Sequence, residues 1–260
     1  MIEIDKYSEI KRLLDKATLD YNRFEFIELD PVQIPHAFSR KEDIEIAGFL
    51  TATISWGQRK SIIKNAYFLM DLMDNTPYDF IIDADKSDWN RVSQFVHRTF
   101  NGNDCLFFLQ SLKNIYQNHG GLENVFNAGY EINNSTFESL KHFRNIFMSI
   151  NHNERVGKHI SDVNSNSTAK RLNMFLRWMV RTDENGVDFG LWKRISPAVL
   201  MLPLDVHTGN VSRFYGLLER KQNDWKAVEE ITTVLRLFDS QDPIKYDYAL
   251  FGIGVNNGIK

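Results

Sequence analysis

The eleven residues from Ile44 to Ile54 are apolar on nearly every side of a helical wheel. A helix of that kind is stable in water only when other elements enclose it, so it must sit at the centre of a packed core. The rest of the chain repeats the helical period. Ile10, Leu13, Leu14 and Ala17 form an i, i+3, i+4, i+7 stripe that predicts a helix over 8–20. Ser39 to Glu42 fits a capping box opening the central helix at about Lys41. Gly57 ends that helix, and another follows through Ile62, Ile63, Phe68 and Leu72. Further helices are predicted near 88–97, 104–118, 121–128, 134–151, 169–181, 205–218, 223–238 and 244–254. Asn223-Asp224 supplies a cap, and Pro243 suits a first helical turn. The clearest polar loop is SDVNSNST at 161–168. The apolar segment Pro197 to Leu204 has room for extended backbone but is short. No stretch alternates with period two between hairpin turns, so the expected class is all-α.

A chain of 260 residues, 43% apolar and 25% charged, buries a sizeable core without disulfide or metal. No apolar run reaches the ~18 residues of a membrane span. The opening segment, MIEIDKYSEIKRLLDK, lacks the apolar core of a signal peptide. Cys105 is the single cysteine, which excludes an internal disulfide and a cysteine-based zinc or iron–sulfur centre. Cytoplasm is the expected compartment, with no membrane partner, no metal and no cofactor. The net charge of -3 hides an asymmetry: residues 1–100 hold 13 Lys/Arg against 17 Asp/Glu, whereas residues 141–181 hold 8 against 2. A near-neutral chain can still bind nucleic acid through cations gathered on one face; a solvated basic face is the plainer alternative.

Four segments carry side chains suited to chemistry. In the helix predicted over 169–181, Leu172, Phe175, Leu176 and Met179 share a core-like face. The opposite face mixes Lys170, Met174, Arg177, Trp178 and Arg181. Such a mixture fits a surface that meets phosphate and base together; equally, Met174 and Trp178 pack under a neighbour while the cations reach solvent. In LPLDVHTGNVSR, His207, Val211, Phe214 and Leu218 share one face, which predicts a core or near-core His207. Asp205 falls where its carboxylate accepts backbone N–H bonds. Asp247 and Phe251 are i, i+4, so one can hydrogen-bond a heterocycle while the other stacks on it. Between two helices, Trp56 and Gln58 sit in a polar break. There is no phosphate-cradling G-x-x-x-x-G-K-[ST], no G-x-G-x-x-G, no H-E-x-x-H and no G-x-S-x-G.

The stretches FVHRTFNGND at 95–104, KRLNMFLRWMVR at 170–181, LPLDVHTGNVSR at 202–213 and DPIKYDYALFGIG at 242–254 resemble a bacterial family of unknown function. That family distantly resembles the helix-hairpin-helix DNA glycosylases, including the archaeal 8-oxoguanine branch. The resemblance implies two helical lobes flanking a cleft, one roughly 40–150 and the other roughly 1–39 plus 151–260, with a degenerate hairpin, because NSNSTA at 164–169 replaces the usual glycine-rich turn. It implies that Lys170 is the nucleophile and Asp205 its assisting carboxylate. ATISWGQRKSII resembles the superfamily's early helix break, which brings Trp56 and Gln58 to the DNA or the flipped base. Asp247 and Phe251 match an acid and an aromatic used against the base. The expected partner is double-stranded DNA with a damaged base, held on Arg171, Arg177 and Arg181. The implied activity is base removal by lysine attack on the sugar C1′, with lyase activity as an extension. A non-catalytic DNA-binding module of the same fold and a helical protein-interaction scaffold are the alternatives.

Overall fold

A computed structural model of the protein describes residues 7–257. Its helices in chain order are α1 (Ser8–Tyr21), α2 (Glu25–Leu29), α3 (Gln33–His36), α4 (Lys41–Ile54), α5 (Arg59–Leu72), α6 (Pro77–Asp83), α7 (Lys86–Val92) and α8 (Gly102–Asn118). They continue with α9 (Leu122–Tyr130), α10 (Thr136–Phe147), α11 (Lys170–Val180), α12 (Val206–Phe214), α13 (Trp225–Phe238) and α14 (Tyr246–Asn257). Among the described residues no strand forms. The only strand-like bridges among the described residues are isolated ones, His97 with Phe100 and Thr182 with Phe189. The protein is all-α.

The chain divides into two compact units, one of residues 27–162 and one of residues 1–26 with 163–260. In the first, every residue of α4 from Ile44 to Ile54 is buried, as an all-round apolar helix requires. Phe49 packs against Phe108, Phe143 and Phe147 with ring centroids 6.0, 5.4 and 5.4 Å apart. Glu45, buried within the same helix, accepts a hydrogen bond from the Tyr116 hydroxyl at 2.7 Å. α4 begins at Lys41 as expected, but its N-cap is Arg40 and no side chain caps it, so the Ser39–Glu42 capping box does not form. The helix predicted over 88–97 ends at Val92 because the chain turns at His97–Phe100.

In the second unit α14 crosses α1 so closely that a Cβ on Gly252 would meet the Tyr21 ring at 2.2 Å; only glycine fits there. Leu14 of α1 and Ala249, Leu250 and Ile253 of α14 are buried. α13 starts on Asp224, whose carboxylate accepts the Ala227 N–H at 3.1 Å. Pro243 opens a single 3-10 turn, Pro243–Lys245, immediately before α14. Residues 197–199 likewise form one 3-10 turn rather than a strand.

Candidate functional site

Lys170 is the first residue of α11. The loop before it is drawn tight: Ser167 Oγ accepts the Ala169 N–H at 3.2 Å, and Asn173 Nδ2 donates to the Thr168 carbonyl at 3.0 Å. Ala169, fully buried, adopts φ 47 and ψ 35, the left-handed region. That conformation costs an L-residue about 1–2 kcal/mol and persists only where the surroundings impose it. The Lys170 side chain is half-buried, and Nζ donates to Met174 Sδ at 3.4 Å.

Asp205 caps α12. Its Oδ1 accepts the His207 and Thr208 N–H groups at 2.9 and 3.0 Å, while Thr208 Oγ1 accepts the Asp205 N–H at 2.9 Å. This reciprocal box fixes the carboxylate's orientation. Oδ2 makes no hydrogen bond with the described residues. His207 is exposed rather than core. α12 ends at Phe214, so Leu218 lies beyond the helix and the four-residue face expected around His207 does not exist; Phe214 itself is 69% exposed.

Asp247 stands in the first turn of α14 and is only 6% exposed. Its Oδ2 accepts a hydrogen bond from Arg177 Nη1. Burial pushes the carboxyl up to about 6; the Arg177 and Lys170 charges oppose that rise, and the Asp205 charge adds to it. Lys170 and Asp205 thus each lie within electrostatic reach of Asp247. Phe251, one turn on from Asp247, is half-buried and meets Phe26 edge-on with centroids 6.4 Å apart.

Two of the three arginines expected on a positive face of α11 are enclosed. Arg177 and Arg181 are 5% and 4% exposed. Arg177 Nε donates to Asp188 Oδ1 at 3.2 Å, and Arg181 Nη1 donates to Asp188 Oδ2 and Asp183 Oδ2, each at 2.9 Å. Arg181 Nε donates to Asp242 Oδ2 at 2.9 Å. Arg177 also lies 4.3 Å over the Tyr248 ring. Neither guanidinium reaches a phosphate: both are enclosed and neutralised by four carboxylates. Arg171 is half-buried, and desolvation pulls its guanidinium down to about 10. Trp178 is fully buried and Met174 nearly so, so this face of the helix packs inward.

Trp56 and Gln58 belong to the unit of residues 27–162. Trp56 is half-buried, edge-on to His97 with centroids 5.0 Å apart, and its carbonyl contacts His97 Nε2 at 3.2 Å. Gln58 is exposed at the N-cap of α5, and its side chain makes no capping bond. Among the described residues no group of three or more His, Cys, Asp or Glu side chains could hold a metal.

Sequence reasoning overlooked the carboxylates at 183, 188 and 242. Their signal was an excess of acids in segments flanked by large apolar residues, where charge demands a buried counterion.

Fold and site together define an all-α protein with a lysine and two carboxylates gathered at three helix starts. The chain belongs to the family described as protein of unknown function (DUF2400), whose model matches residues 30–256. No curated protein and no solved structure matches it.

Proposed function

We propose that the Lys170 cluster is the centre of a DNA-repair glycosylase that removes an altered base by lysine attack on the sugar C1′. The observation that carries this reading is that Lys170 and Asp205, at two helix starts of one unit, both act electrostatically on the buried Asp247. A base stacked in a duplex is out of reach, so the nucleotide must be extruded first. The neutral Lys170 amine then forms a bond to C1′ while the glycosidic C–N bond breaks and its electron pair leaves with the base. The amine nitrogen then gives up its protons, one of them to O4′ as the C1′–O4′ bond breaks, and the Schiff base that results also permits strand cleavage by loss of a C2′ proton. The second Asp205 oxygen, left over from the cap, is suited to stabilise positive charge growing on the sugar. Asp247 offers an acceptor to the extruded base, with Phe251 one turn away.

Borohydride trapping against a panel of lesion-bearing duplexes tests the proposal. Wild type is expected to form a covalent adduct with at least one lesion. Lys170→Ala should form none while its helical circular dichroism is unchanged, since among the described residues Nζ hydrogen-bonds only Met174. Asp205→Asn should slow base release by about 10²–10⁴-fold, the usual worth of one positioned acid–base group. An adduct that survives Lys170→Ala, or none with any lesion, overturns the assignment.

A further inference from the structure

The unit of residues 27–162 gathers exposed cations that the lysine chemistry does not use. The α5 start carries Arg59, Lys60 and Lys64, the 97–100 turn carries Arg98, and the 3-10 helix Glu154–His159 carries Arg155 and Lys158; all six are exposed. Across residues 55–70, 93–103 and 150–160 the only carboxylate is Glu154.

The three segments are tied into one surface. Arg98 Nη1 would lie 2.7 Å from a Cβ on Gly57, so its guanidinium rests on the break before α5. His97 Nε2 meets the Trp56 carbonyl at 3.2 Å. Arg155 Nη2 donates to the Thr99 carbonyl at 2.6 Å and pairs with buried Asp104 at 3.1 Å, so it anchors the face and is partly neutralised.

Arg155 also lines a groove of roughly 380 Å³ formed by α8 and the 151–156 segment. Its volume falls in the ~300–1,000 Å³ range of small-ligand sites. Exposed carboxamides of Asn103, Gln110, Asn151 and Asn153 line it together with the buried Asp104 that Arg155 pairs with; each carboxamide bears a donor and an acceptor, although Asn153 Oδ1 already accepts the Arg155 backbone N–H at 3.0 Å. The exposed ring of His152 stands over Phe107 with centroids 5.2 Å apart. Such a lining suits a neutral planar group with mixed hydrogen-bonding edges, and an exposed imidazole is a stacking surface for a base. Cations in a row follow a phosphodiester backbone, and a carboxamide groove beside them receives an unpaired base.

We infer that this face binds single-stranded nucleic acid, with phosphates on the cations and a base in the groove. It is distinct from the Lys170 cluster and stands on charge and shape rather than on lysine chemistry.

Fluorescence anisotropy with a labelled single-stranded dodecanucleotide, its duplex and polyglutamate of matched charge, at several salt concentrations, tests it on the full chain. Wild type should prefer the single strand. Lys64→Glu with Arg98→Glu should weaken binding at least tenfold and flatten the salt slope by about 0.7 per lost phosphate contact. The neutral pair Lys64→Gln with Arg98→Gln should give a smaller loss in the same direction. Gln110→Ala with Asn151→Ala should keep the slope but lose the preference over duplex. Binding within twofold of wild type in the charge-reversed variant overturns the inference. So does polyglutamate binding as tightly as the strand, which would assign the face to an acidic protein. Lys170→Ala should bind the strand as wild type does, and a wild type that binds the strand but forms no covalent adduct counts against the lysine chemistry alone.

Discussion

Arg177 and Arg181 on α11, and Lys64 and Arg98 in the other unit, are cations in opposite surroundings. The α11 pair is buried and held by Asp183, Asp188, Asp242 and Asp247; the other two are exposed and make no ion pair among the described residues. Cation count along the sequence made residues 141–181 look like the basic face. Burial shows that two of those charges are structural. A guanidinium taken out of water needs a carboxylate, whereas one left in water is available to a partner.

The largest expected effect follows from breaking the buried pairs. Arg177→Ala leaves Asp188 without one guanidinium and Asp247 without its hydrogen-bonded counterion, both enclosed. Removing one partner of a buried ion pair costs about 3–5 kcal/mol. Urea unfolding should show a loss of that size, or no soluble protein. A loss below about 1 kcal/mol would mean that water reaches the network and that the contrast between the two regions is weaker than the burial implies.

The pH dependence comes next. Asp247 titrates at about 6 in the fold, above its ordinary 3.8. The folded state therefore holds this proton more tightly than the unfolded chain does. The stabilisation from that proton is complete below about pH 4 and is lost as pH rises through about 6. Between pH 4 and pH 7, stability should fall by on the order of 1–3 kcal/mol more in wild type than in Asp247→Asn, since each tenfold difference in proton affinity between the two states is worth about 1.4 kcal/mol. Equal pH slopes would show that Arg177 already keeps the carboxylate ionised across the range.

Most of the fold was legible because long helices announce themselves by apolar period. The 8–20, 104–118 and 223–238 readings meet α1, α8 and α13 within a few residues. Short elements did not announce themselves. α2, α3 and α6 have five, four and seven residues, too few for a stripe to repeat. Local signals also failed where tertiary context decided. Ser39 has the right spacing for a cap, yet α4 starts without one. A helical wheel over 205–218 predicts a core face for His207, but the helix stops at Phe214. The Arg177 environment was illegible for a different reason. Its partners lie 11 and 70 residues away, and a wheel reports which face a side chain occupies, not what covers that face. The Asp205 cap was legible because capping is a contact within four residues.

That cap gives a smaller and separable test. Asp205→Ala removes the acceptor for two backbone N–H groups, worth about 0.5–2 kcal/mol. Asp205→Asn keeps a side-chain oxygen and should lose only a fraction of that. If both variants lose the same stability, the charge rather than the cap holds the start of α12.

The smallest stability effect should come from the exposed cations, and its smallness makes the comparison informative. Lys64 and Arg98 are exposed, and neither forms an ion pair among the described residues. Arg98 adopts φ 55, so its backbone already carries a left-handed conformation that glutamate would inherit unchanged. Substitutions at such positions stay within about 0.5 kcal/mol when they disturb no buried contact. Lys64→Glu with Arg98→Glu should therefore unfold in urea at nearly the wild-type midpoint, with an unchanged slope. Relief of repulsion among neighbouring cations should raise stability slightly at low salt, and that gain should vanish at about 1 M salt, where the screening length falls to about 3 Å. A loss above about 1 kcal/mol would place these side chains in the fold's own ion pairing, as on α11, and would remove the physical basis for treating this face as open to a partner.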